Sequence, residues 1–170
     1  ELFRFSGQEA TGVQQLVDHI FSHSKILQHS FAKSILIYEH SACVCIPEKF
    51  YSAETATAYL QLMAGDDIHS DIDTKVYKNI AIVSSSPADV IKAWNKKINI
   101  DEHVHKYLTL IKQQMNGGNE TTLYCIFYTS YFILSAYKNN QLLIIRHFDY
   151  SVPEDVLYHI LNTCRQLDID

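Results

Sequence analysis

Residues 122–161, TLYCIFYTSYFILSAYKNNQLLIIRHFDYSVPEDVLYHIL, decide the fold of this chain. Three apolar runs follow one another in this stretch, and the connections between them, residues 129–131 and 139–141, are short enough for hairpins. The stretch therefore predicts a three-stranded meander that leads into a helix. In that helix we expect five residues to face the interior: Val156, Leu157, Ile160, Leu161 and Cys164.

Part of the predicted final helix is similar in sequence to a stretch near the start of the chain. LVDHIF at residues 16–21 is similar to VLYHIL at residues 156–161. Each of these stretches follows an apolar run that contains an arginine, at residues 2–5 and 144–148. A strand followed by a helix, used twice, indicates a duplicated α/β unit, and chance similarity is the alternative for so short a match.

Helices and strands are predicted to alternate along the first two thirds of the chain. Residues 34–38 and 42–46 are predicted to be a pair of strands joined through residues 39–41. Residues 80–83 have the continuous hydrophobicity of a buried parallel strand. Helices are predicted in four places: from Val13, after a cap at Ser52, after a cap at Ser86, and over residues 102–115.

Composition narrows the class of protein. The 170 residues are 47% hydrophobic and 12% aromatic, enough for a packed core, and the net charge of −5 argues against a nucleic-acid partner or an anionic membrane surface. Apolar runs such as residues 142–145 are too short to insert into a bilayer. Four cysteines without a disulfide-type spacing favour a reducing compartment, so we expect a cytoplasmic protein. Because the chain begins at Glu1, inside a predicted strand, we also expect it to be a piece of a longer protein.

Two runs carry a family resemblance, ILIYEHSACVCIPEKFYSAETATAYL at residues 35–60 and NNQLLIIRHFDYSVPEDVLYHIL at residues 139–161. They resemble a bacterial domain-of-unknown-function family with an actin-like architecture, the superfold of actin and the sugar kinases. The resemblance implies an α/β, ribonuclease H-like protein with two lobes of mixed sheet flanked by helices. On that basis residues 1–116 are most of the first lobe and residues 117–170 are the opening β-β-β-α unit of the second, with the boundary at the flexible run 116–119.

The actin-like resemblance also implies what an ATP site would need. ATP normally binds between the two lobes, at hairpin turns in which a glycine lies near an acidic residue. The glycine lets backbone N–H groups approach a phosphate, and the acid positions Mg²⁺. Here the turn of the second lobe is Tyr128-Thr129-Ser130-Tyr131, which has neither residue type. We therefore expect no cofactor and no ATP hydrolysis.

No other catalytic or metal-binding motif is expected. The run Ser84-Ser85-Ser86 lacks the glycines of a nucleophile elbow, and Ser86 is better explained as a helix cap. Cys43 and Cys45 share a strand face but have no second cysteine pair, so they are interpreted as structural thiols. His103 and His105 diverge if they lie in a helix, and a shared metal would require a strand there.

The remaining unusual feature is the number of tyrosines, 11 in all, and it suggests a function. Aromatic side chains in strands often only pack across the sheet, but tyrosine is also enriched at protein interfaces. We expect a non-catalytic actin-like module that binds a protein partner or self-associates. The alternatives are an ATPase or phosphotransferase whose phosphate loops lie outside this chain, and a small-molecule binding module that uses the cleft between lobes. The candidate partner surface consists of five tyrosines in the meander: Tyr124, Tyr128, Tyr131, Tyr137 and Tyr150.

Overall fold

The structure is a computed structural model in which four ranges are described: residues 12–39, 42–65, 71–115 and 120–169. The chain divides into two compact units, residues 1–106 and 107–170. The glycine-containing run 116–119, where the lobe boundary is predicted, lies outside the described residues, as does the predicted strand at residues 2–5. The assignment of the chain to two lobes therefore stays a prediction.

Helices and strands alternate in the first unit, as predicted. Its helices are α1 (Val13–His23), α2 (Ala56–Ala64) and α3 (Ala88–Asn95), and a short 3-10 helix covers Glu48–Phe50. Its strands are β1 (Ile35–Tyr38), β2 (Cys43–Pro47), β3 (Ile72–Tyr77), β4 (Ile80–Ser85) and β5 (Glu102–His105).

The first two strands do not pair with each other, so that prediction was wrong. β1 pairs in parallel with β5, whereas β2 pairs antiparallel with β4. Tyr38 lies opposite His105 in the first of these ladders. The apolar patterns identify both runs as strands, but their hydrogen-bonding partners lie much later in the chain, where the local pattern carries no information.

The middle strand of the β2-β4-β3 sheet is buried along its whole length. β4 is antiparallel to both of its neighbours, which corrects the predicted parallel strand. Its continuous hydrophobicity reflects burial on both faces, and such burial occurs in either strand direction. One helix covers this sheet, since Ala56 and Leu60 of α2 pack into one core with Ile46 and Val83.

Three helix predictions fail at their first residues. Ser52 is not the cap of α2: Thr55 occupies that position, and no side chain caps the helix. Residues 102–105 form β5 rather than the start of a helix, because they pair with β1, and α4 then covers Lys106–Gln114. Ser86 is not the cap of α3: that position is occupied by Pro87, and no side chain caps the helix.

The second unit contains the predicted meander and final helix. Strands β6 (Thr122–Phe127), β7 (Tyr131–Lys138) and β8 (Gln141–Asp149) form an antiparallel sheet in the order β6-β7-β8, and α5 covers Pro153–Gln166. The turn between β7 and β8 places Asn139 at φ +51° and Asn140 at φ +58°. This is the left-handed region that asparagine tolerates in tight hairpins, so the sequence pattern and the backbone geometry agree.

Helices pack on both faces of this sheet. On one face, the His159 ring of α5 stacks on Phe148 at 4.5 Å and lies 6.2 Å from Phe132. On the other face, the Gln114 side chain at the end of α4 accepts hydrogen bonds from the Ser135 and Tyr137 hydroxyls, at 2.7 and 2.9 Å. β7 is therefore the buried centre of the unit.

None of the helices within the described ranges combines the length and apolar content that a bilayer crossing requires.

Candidate interaction surface

The turn between β6 and β7 is built from two stacked tyrosines. The rings of Tyr128 and Tyr131 lie 4.6 Å apart with only 12° between their planes. The Tyr128 backbone N–H donates to the Tyr131 carbonyl at 2.8 Å, so the two residues close the hairpin with Thr129 and Ser130 at its tip. The turn therefore presents aromatic rings where the actin-like resemblance leads one to look for glycine and an acid.

Two further aromatic residues support this turn. The Tyr150 hydroxyl donates to the Tyr128 carbonyl at 2.6 Å, and the Tyr150 backbone N–H donates to the Ser130 carbonyl at 3.0 Å. Phe127 lies 6.3 Å from the Tyr150 ring and remains 53% exposed. We call Phe127, Tyr128, Tyr131 and Tyr150 the aromatic turn; its members hold one another in place and leave Phe127 accessible.

The other two candidate tyrosines lie away from this turn. Tyr137 is buried, and its hydroxyl is used by Gln114. Tyr124 is half-buried and packs edge-on against Tyr137 at 5.8 Å. The structure thus brings Tyr128, Tyr131 and Tyr150 together, and it places Tyr137 in the interior of the unit.

The outer face of α5 was missed by sequence reasoning. Leu157 and Leu161, predicted to face the interior, are 58% and 59% exposed, and Tyr158 between them is 64% exposed. The helix is apolar over more than one face, so spacing alone could not say which face packs on the sheet. The buried residue of α5 is Thr163. A polar side chain therefore lies in the interior, where hydrophobicity alone would place the apolar residues near it.

The first unit contains a polar cluster that the sequence patterns did not predict. The hydroxyls of Tyr38 on β1 and Ser84 on β4 lie 2.9 Å apart in the buried interior. Burial, followed by the nearby Asp73 carboxylate, raises the pKa of Tyr38 to about 12, although the bond to Ser84 opposes this shift. A hydroxyl that keeps its proton at neutral pH is a poor general base, so this geometry favours a structural bridge between two strands.

The Asp73 carboxylate lies between two basic side chains in the same cluster. His103 Nε2 is 3.8 Å from Asp73 Oδ2, and Lys75 Nζ is 3.6 Å from Asp73 Oδ1. His103 and His105 do lie on a strand and point to one face, where both rings contact Tyr38. Within the described ranges, however, no group of three His, Cys, Asp or Glu side chains is arranged to hold a metal ion.

The four cysteines are free thiols, and burial favours the protonated form of three of them, Cys43, Cys45 and Cys125. Burial raises the pKa of Cys43 well above its usual range and that of Cys45 to about 12. Burial, and then the neighbouring Cys164, also raises the pKa of Cys125. Because the thiolate is the reactive and metal-binding species, these shifts support the interpretation of Cys43 and Cys45 as structural residues.

Comparison with solved structures confirms the fold. The crystal structure of a Bacteroides thetaiotaomicron VPI-5482 protein, described as having an actin-like ATPase fold and unknown function, matches this chain with a TM-score of 0.83. The match covers 99% of this chain and 68% of that one, at 16% sequence identity. The chain thus has the predicted α/β, actin-like fold.

Sequence comparison places the chain in a family. No curated protein matches it in sequence. The family described as protein of unknown function (DUF3822) matches residues 3–170, which is nearly the whole chain. The predicted resemblance to a family of unknown function with an actin-like fold is therefore confirmed, and this chain belongs to the DUF3822 family.

Proposed function

We propose that this actin-like protein is a non-catalytic module that binds a protein partner through its aromatic turn. The observation that carries the proposal is the stacking of Tyr128 on Tyr131 at 4.6 Å in the hairpin turn. Phosphate binding at such a turn needs free backbone N–H groups and no bulky side chains around them. Here the Tyr128 N–H is used within the hairpin, and two rings flank its tip.

The aromatic turn has the properties of a protein-binding surface. Aromatic residues supply large contact areas in interfaces, and rings that are already held in place lose little conformational entropy on binding. The Tyr150 hydrogen bond to Tyr128 and the tyrosine stack provide this preorganisation, while Phe127 supplies accessible apolar area.

The charge beside the turn indicates the chemistry of the partner. Asp149 is exposed and lies directly opposite Tyr131 in the β7–β8 ladder. A partner with an apolar patch flanked by arginine complements this surface, since guanidinium groups stack on aromatic rings and pair with carboxylates.

Thermal unfolding with and without millimolar Mg²⁺-ATP tests the non-catalytic part of the proposal. A nucleotide present at 100 times its dissociation constant stabilises a protein by about 2.7 kcal/mol and raises its unfolding midpoint by several degrees. We expect no shift with ATP, ADP or GTP. A clear shift with any of them contradicts the proposal and favours the nucleotide-binding alternative.

The Phe127→Ser variant tests the partner surface. A partner recovered by affinity capture is purified, and its affinity is measured for the wild type, for Phe127→Ser and for Phe50→Ser. Phe50 is the matched control because it is 60% exposed and lies in the first unit. We expect Phe127→Ser to weaken binding about 10-fold or more, as for a central aromatic contact, and Phe50→Ser to leave binding unchanged. Equal affinities for all three proteins would place the partner elsewhere.

A further inference from the structure

The outer face of α5 has an apolar centre. Leu157, Tyr158 and Leu161 are each more than half exposed there. A solvated helix face normally carries charged or polar residues at these positions, so a cluster of two leucines and a tyrosine suggests a covered surface.

The two ends of the same helix face carry opposite charges. Glu154, Tyr158, Leu161 and Arg165 are spaced by four, three and four residues, which places them in one stripe along a helix of 3.6 residues per turn. Glu154 and Arg165 are both exposed, and neither forms a salt bridge with another residue of the described ranges. The stripe therefore runs from an acidic end through an apolar centre to a basic end.

We propose that two copies of this chain pair through this stripe, with their α5 helices antiparallel. A two-fold axis between Tyr158 and Leu161 places Leu161 of each copy opposite the partner's Tyr158. The same axis places Arg165 opposite Glu154 of the partner subunit and repeats the pair at the other end. An isologous interface requires this self-complementary pattern, in which residue i contacts j and j contacts i.

The order of the charges along α5 favours the antiparallel pair over a parallel pair. In a parallel pair, the two acidic ends would meet and so would the two basic ends, and like charges in contact are destabilising. The antiparallel pair joins unlike charges at both ends. Because three apolar side chains per copy form a small interface, the dimer is weak, and because the ion pairs are exposed, it weakens further as salt increases.

Sedimentation velocity over a range of concentrations tests the pairing in the full chain. We expect the wild type to dimerise and both Arg165→Glu and Glu154→Arg to weaken the dimer by about 10-fold, since each creates like-charge contacts at both ends. The double variant carrying both substitutions should recover most of the affinity, because it restores unlike pairs in reversed order. The control is Leu62→Ser, which removes a leucine that is 82% exposed on α2 and should leave dimerisation unchanged.

Two outcomes overturn the inference: a wild type that remains monomeric at every concentration, or a double variant that stays as weak as the single ones. The inference rests on the proposed role as an interaction module, but its failure is separable from the failure of that role. The charge variants leave the aromatic turn intact, so binding of a captured partner to Arg165→Glu reports on the turn alone. Conversely, Phe127→Ser leaves the α5 stripe intact and should dimerise like the wild type.

Discussion

The two units contain the same kind of sheet but use it differently. Each has three antiparallel strands with a buried central strand, β4 in the first unit and β7 in the second. In the first unit the central strand carries Ser84, whose hydroxyl meets Tyr38 of a different sheet. In the second unit the central strand carries Phe132, which contacts the rings of Phe127, Phe148 and Tyr150.

The two units also differ in the side chains that they bury and expose. In the first unit, Ser84, Tyr38 and Cys43 are buried and are hydrogen-bonded or protonated, so the fold itself uses their polar groups. The second unit leaves part of its aromatic and apolar area exposed at the aromatic turn and along α5. The proposed interaction surfaces lie in the second unit, whereas exposed apolar side chains of the first unit, Phe50 and Leu62 among them, serve as controls.

The largest effect is expected from Phe132→Ala. Phe132 is fully buried at the centre of the second unit, and removing its ring leaves a cavity between the aromatic turn and α5. We expect the free energy of unfolding to fall by about 3–5 kcal/mol in urea denaturation. Phe50→Ala, at an exposed position, serves as control and should have little effect. A loss below about 1 kcal/mol for Phe132→Ala would mean that the aromatic cluster is not the core of this unit.

A smaller effect is expected from Ser84→Ala in the first unit. This substitution removes the 2.9 Å partner of a buried hydroxyl, and an unsatisfied buried polar group costs about 1–3 kcal/mol. The same substitution in a Tyr38→Phe background should be nearly neutral, because no hydroxyl is then left unpaired. Additive effects in this double-mutant cycle, measured by urea denaturation, would show that the two hydroxyls do not stabilise each other.

The smallest expected effect is a loss of stability of the wild type relative to Tyr38→Phe, and it appears only at alkaline pH. Folding raises the pKa of Tyr38 from 10.0 to about 12, chiefly through burial. Between these two values the unfolded chain has released the proton that the folded chain still holds, so rising pH favours unfolding. The stability of the wild type relative to Tyr38→Phe should therefore be constant below pH 10 and decline between pH 10 and about 12. A difference that stays constant through this range, measured by urea midpoints, would contradict the burial of the hydroxyl.

Local pattern was sufficient where neighbours in the sheet are also neighbours in sequence. The meander of β6, β7 and β8 was predicted with its two hairpins, because short connections leave adjacent strands only one antiparallel arrangement. The resemblance to a family of unknown function with an actin-like fold was likewise predicted from two runs of sequence and is confirmed by comparison. In the candidate surface, Tyr128 and Tyr131 were predicted from the sequence as surface residues, but the stacking of their rings was not predicted.

Local pattern failed where the partner is distant. Residues 102–105 form a strand where the pattern predicts a helix, because four residues show little periodicity and the partner strand β1 lies more than 60 positions earlier. The exposure of Leu157 and Leu161 was missed for a related reason: a helix that is apolar on more than one side packs on the face that its neighbours leave open.

The sequence by itself determined the type and order of most elements, the α/β class and the absence of glycine and acid in the turn at residues 128–131, since these depend on residues close together in the chain. Only the tertiary structure decided that β1 pairs with β5, that Tyr38 meets Ser84, and that α5 turns an apolar stripe outward. The physical reason is that periodicity and turn chemistry act within a few residues. Strand partners and buried hydrogen bonds, by contrast, are selected by packing among segments that are far apart in sequence.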